Sequence, residues 1–167
     1  MSPQPGDVGF AHTTGIMGRL IRWGEWLKFK RGSGWNHMFI VDRIVDGEPY
    51  IIQATLKGVT DTAKLSEVAP GGNYIVMQPP LGTSRKQIVT FARAQVGLEY
   101  GLWTIVALTI DILSWQWFPA LRGARKESWI CSALVMESLR YGGALFDILD
   151  IYTITPAQAY CLLNTVP

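Results

Sequence analysis

The sequence predicts an α+β fold, an antiparallel sheet with helices packed against it. Two observations lead there. Runs of β-branched and aromatic residues, separated by turns containing Gly, Pro and Asp, fill the first half of the chain. Helix-length patterns with recognisable start and stop signals fill the second half. Composition supports the same class. Of the 167 residues, 49% are hydrophobic and 17% are charged, below the usual quarter, so a core can form and a disordered chain is excluded. A single domain over residues 1–167 is expected.

The elements follow in order. "GDVGFAH", residues 6–12, reads as a short strand entered through a Gly turn. "GIMGRLIRWGEWLKFKR", residues 15–31, is partly helical in pattern, but Gly18 and Gly24 weaken it. "NHMFIVDRIV", 36–45, is an apolar strand, "DGEP" a turn, and "YIIQAT", 50–55, the returning strand of a hairpin. "YIVMQP", 74–79, is a further strand stopped by Pro79 and Pro80.

Helices come next. In "TSRKQIVTFARAQVG", Ser84 and Gln87 have capping-box spacing, and Ile88, Phe91, Ala92 and Gln95 form one mostly apolar face. "WICSALVMESLRYGG" is a second helix, beginning near Ile130 and ended by Gly142 and Gly143. "TITPAQAYCLLN" is a third, with Thr155 a natural N-cap and Pro156 at the first helical position. Between the first two lies an apolar, Trp-rich insertion at about 102–128. Its segment 102–118 is shorter than the roughly 20 residues of a membrane span and carries Asp111, so a buried helix or hydrophobic lid is expected.

Charge and cysteine usage exclude several classes. A net charge of +2 gives no general case for nucleic acid. "MSPQPGD" lacks the features of a signal peptide, so synthesis in the cytoplasm is expected; the final location is left open, and peripheral membrane or virion association is compatible with the sequence. Two cysteines do not make a disulfide framework, and His12, His37, Cys131 and Cys161 lack the paired short spacings of zinc sites. No metal or other cofactor is expected.

Cys131, at the predicted helix start, has four readings: buried filler, disulfide partner, metal ligand or nucleophile. A helix N-terminus suits the last, because its N–H groups and dipole stabilise a thiolate. A nucleophilic thiol needs an imidazole, and the imidazole needs a polar group to orient it. His37 opens an apolar strand, sharing a face with Phe39 and Val41, and can serve as base, although alone it reads rather as a structural histidine at a strand end. Hairpin pairing offers Gln53 as the orienting group, although alone it reads as an ordinary edge glutamine.

In combination, "GDVGF", "WNHMFIV", "IIQATLKGV", "GLEYG", "WICSALV" and "TITPAQA", in that order, resemble the permuted NlpC-type papain-like cysteine hydrolases, the group of YiiX-like proteins and relatives of lecithin retinol acyltransferase. The resemblance implies a circularly permuted papain-like fold with Cys131 as nucleophile, His37 as base and Gln53 where the group often has Glu. It also implies that Tyr100 lines the site near the oxyanion, beside the first-turn groups around Ser132. Two positions depart from the pattern: Ala133 replaces the acid of "CSEL", and Gly101 replaces the Asp that often follows the Tyr.

The expected activity is thiol-dependent hydrolysis or acyl transfer on a peptide, amide or acyl-ester bond. The rival expectation is a weakened or inactive module serving as a structural or interaction protein. The cell-wall peptide side of the resemblance favours a peptide substrate. The Trp-rich insertion favours a lipid acyl substrate. Arg19, Arg22 and Lys28, interleaved with Trp23 and Trp26, fit a membrane surface or an anionic partner. No nucleic-acid partner is expected, and an oligomer is compatible with the Trp-rich surface.

Overall fold

A computed structural model describes residues 2–13, 34–55, 57–98, 130–146, 151 and 154–165. It shows a mixed α+β architecture. The strands are β1 (Val8–Ala11), β2 (His37–Val45), β3 (Glu48–Thr55), β4 (Gly58–Lys64) and β5 (Tyr74–Met77). The helices are α1 (Leu65–Val68), α2 (Arg85–Ala94), α3 (Cys131–Tyr141) and α4 (Pro156–Thr165). The strands form one antiparallel sheet in the order β4-β3-β2-β1-β5. Among the described residues, no helix is long and apolar enough to cross a membrane.

The β2–β3 hairpin turns at Asp46 and Gly47, whose φ values of 51° and 80° are those of a two-residue turn matched to strand twist. Asp is among the few side chains that tolerate that region, and Gly enters it without steric cost. Strand alternation then sorts the core. Val8, Phe10, Met38, Ile40, Ile52 and Ala54 face Ile88 and Ala92 of α2, Leu134 and Leu139 of α3, and Leu163 of α4. The opposite face carries Ala11, Phe39, Val41 and Ile51 against Leu65 of α1 and Ala69. Burying each large apolar side chain contributes about 1.5–3 kcal/mol, so the larger cluster is the main source of cohesion.

A single residue, Gly9, explains how β1 and β2 fit. It pairs with Phe39, and a Cβ built on it would lie 1.9 Å from the Phe39 ring. The ring occupies the space that any other residue's side chain would need.

Ion pairs tie α2 to the sheet. An extra residue in β2, Asp42, falls at a register shift against β3. Its buried carboxylate accepts from Arg93 Nε at 2.6 Å and also pairs with Arg43. That bond holds the Arg93 pKa above its usual value. Asp7 likewise pairs with Arg85 at the start of α2.

The predicted strands and helices all appear where they lie within the described residues. The partly helical segment 15–31 and the insertion at about 102–128 lie outside the described residues. Two elements were absent from the sequence reading: β4, whose "GVTDTAK" is largely polar, and the four-residue α1. The capping-box spacing at Ser84 gives one of its two bonds, Gln87 N–H to Ser84 Oγ at 3.4 Å. Thr155 and Gln158 make both: Gln158 N–H donates to Thr155 Oγ1 at 3.3 Å, and Thr155 N–H to Gln158 Oε1 at 3.0 Å.

Candidate active site

His37 is the first residue of β2, and its backbone pairs with Ala11 at the end of β1. Gln53 lies on β3, buried, beside a register shift between β3 and β4. Alternation puts His37 in phase with Phe39 and Gln53 in phase with Ile51, so the two polar side chains occupy the same face. They meet there: His37 Nε2 and Gln53 Oε1 are 2.7 Å apart.

The bond fixes the ring's chemistry. Gln53 Oε1 is an acceptor only, so Nε2 carries the proton and donates it. The neutral ring then presents Nδ1 as its unprotonated nitrogen. Burial lowers the His37 pKa below 6.5, and the Gln53 hydrogen bond opposes that shift in part. Both the tautomer and the lowered pKa suit a ring that accepts a proton near neutral pH.

Cys131 is the first residue of α3, after the N-cap Ile130, and is buried. The helical ladder starts with Leu134 N–H to Ile130 O at 3.0 Å, so the preceding first-turn N–H groups lie ahead of it. The helix runs without interruption to Tyr141 and ends through Gly142 and Gly143, the latter at φ 101°. Ser132 Oγ donates to Ile154 O at 2.6 Å, so its hydroxyl is engaged in holding α3 to the entry of α4. Any oxyanion role for Ser132 would fall to its backbone N–H.

The structure brings His37 and Gln53 together. Cys131 belongs to the larger core cluster, which also holds Met38 and Ile40 of β2. Ile154 holds Ser132, next to Cys131, and Tyr160 of the following helix packs edge-on to Phe10 at 5.3 Å and against Trp35 at 6.1 Å. Trp35 precedes His37 by two residues. The segment Ile154–Tyr160 therefore contacts both neighbourhoods.

Of the other candidate residues, Tyr100 and the basic-aromatic group Arg19, Arg22, Trp23, Trp26 and Lys28 lie outside the described residues. His12, the other histidine, lies 2.7 Å from Gly34 O through Nδ1. Sequence reading missed Asn36 as a structural anchor; its side chain bonds Thr13 through both amide atoms. Its only sequence signal is a polar residue just before an apolar strand.

The fold, with its five-stranded antiparallel sheet and helices, is a YiiX-like one. A solved structure similar to it is the metalloprotein yiiX from Escherichia coli O157:H7 (DUF1105), at TM-score 0.57 and 18% identity, covering 92% of this chain and 79% of that one. At that identity the likeness concerns fold alone. No protein-family model and no curated protein matches the chain.

Proposed function

We propose that this protein is a cysteine-dependent hydrolase or acyltransferase of permuted papain-like fold, acting on an amide, peptide or acyl-ester bond. One observation carries the reading: the 2.7 Å His37–Gln53 bond, which leaves Nδ1 as the proton acceptor. In the reaction, His37 Nδ1 takes the Cys131 thiol proton, and the thiolate adds to the substrate carbonyl. First-turn N–H groups of α3, with Tyr100, stabilise the oxyanion. The protonated ring gives its proton to the leaving group, and an acyl-thioester remains. Water or an acceptor alcohol or amine then resolves it, again through His37. The mechanism requires thiol and imidazole within hydrogen-bond reach of each other.

The yiiX structure is that of a metalloprotein. Among the described residues here, no group of three or more His, Cys, Asp or Glu could hold a metal ion. His37 Nε2 is engaged by the Gln53 amide as well. Among the described residues, that donor set does not fit a metal.

Relative alkylation of the two cysteines tests the mechanism. Cys161 is exposed and Cys131 is buried, so accessibility alone favours Cys161. Faster iodoacetamide labelling of Cys131 near pH 7, lost in His37→Ala, is the expected result. Slower labelling of Cys131, unchanged in that variant, would sink the nucleophile assignment. Turnover of peptidoglycan fragments against phospholipid vesicles distinguishes peptide from lipid acyl substrates.

A second reading is a non-catalytic interaction module. The observation favouring it is the uncharged partner of His37: the Gln53 amide stabilises an imidazolium less than a carboxylate would. The labelling experiment separates the two readings directly.

A further inference from the structure

The side chain of Asn36, one residue ahead of β2, is 1% exposed and is clasped onto Thr13. Its Oδ1 accepts from Thr13 N–H at 2.8 Å and from Thr13 Oγ1 at 3.0 Å, and its Nδ2 donates to Thr13 O at 2.7 Å. The Asn36 N–H donates to Ala11 O at 3.2 Å. These bonds tie the end of β1 to the residue immediately before His37. Ala11 is also the residue that His37 faces across the ladder.

We infer that Asn36 is a positioning residue for His37, and that its clasp on Thr13 sets the ring on Gln53 and so selects the proton-accepting nitrogen. The reason is geometric. A 2.7 Å hydrogen bond between two side chains on separate strands survives only if both backbones are held. Gln53 is held by its pairing with Thr60 of β4, and the residue before it, Ile52, pairs with Ile40 of β2. His37 is the first residue of its strand, where the ladder ends and chains fray. Asn36 supplies the anchor that the ladder lacks at that point. A displacement of about 1 Å at a positioning residue is enough to spoil a reactive geometry. The consequence for catalysis rests on the hydrolase reading; the state of the ring can be measured without it.

The test is 15N NMR of the His37 ring in the full chain, at a pH where the ring is neutral. The wild type should show the Nε2–H tautomer. In Asn36→Ala the ratio of the two neutral tautomers should fall about fivefold, the factor that one ordinary hydrogen bond controls. Thr13→Val removes one of the three side-chain contacts and should shift the ring signals less, in the same direction. Val89→Ala, in the α2 core, lowers stability as a control and should leave the His37 signals in place. Wild-type tautomer populations in a folded Asn36→Ala would overturn the proposal. If that variant does not fold, unshifted signals in Thr13→Val would overturn it. An equal shift in Val89→Ala would do the same, by showing general softness rather than positioning. Loss of the nucleophile reading would appear separately, in the alkylation of Cys131, and would leave these signals unaffected.

Discussion

An amide oxygen can orient an imidazole as a carboxylate does, without bringing a charge, and Gln53 does so for His37. Gln53→Glu should therefore raise the His37 pKa by about one to three units, since an adjacent anion favours the imidazolium. An NMR titration reads this directly; an unchanged value would mean that the pair does not exist in solution. The lowered His37 pKa also has a stability consequence. Between the folded value and the ordinary 6.5, the unfolded chain binds more protons. Stability should thus fall as pH drops below about 6.5, by at most about 1.4 kcal/mol per pH unit, and His37→Gln should flatten that slope in urea unfolding. At this scale the sequence was informative about residue types and silent about orientation. His37 and Gln53 could be paired because a hairpin constrains both. The phase of Cys131 relative to the sheet could not be read, because it depends on how α3 docks.

Elements whose signal is local were legible, and those that depend on a neighbour were not. The β2–β3 hairpin announces itself through Asp46 and Gly47, and α4 through Thr155, Pro156 and Gln158. By contrast, β4 is recognisable only through its pairing with β3, since Thr60, Asp61, Thr62 and Lys64 make it polar. Gly9 gives no hint of its role until Phe39 is seen over it. Gly9→Ala should destabilise the protein by about 1–3 kcal/mol by overpacking, while adding Phe39→Ala should make the two costs strongly non-additive. A double-mutant cycle in urea checks this, and additive costs would argue against the contact. At the α2 contact, Asp42→Ala removes the acceptor of both Arg93 and Arg43. A loss of about 1.5–3 kcal/mol is expected, the range for hydrogen bonds to charged groups.

For the molecule as a whole, cohesion comes from a sheet covered on one face by α2, α3 and α4 and on the other by α1. Neither Cys131 nor Cys161 is in a disulfide, so no covalent cross-link contributes. The thermal midpoint should accordingly be the same with and without reductant in a differential scanning experiment; a drop on adding reductant would reveal an undetected bridge. The α+β class was readable because strand and helix patterns segregate along the chain. The grouping of His37, Asn36, Thr13 and Ala11 at one sheet end was not, because it arises from antiparallel register between distant segments. The Thr13–Asn36 clasp also fixes where the chain leaves and re-enters the sheet. It joins positions 23 residues apart in sequence, so the segment between them begins and ends at one point, beside His37.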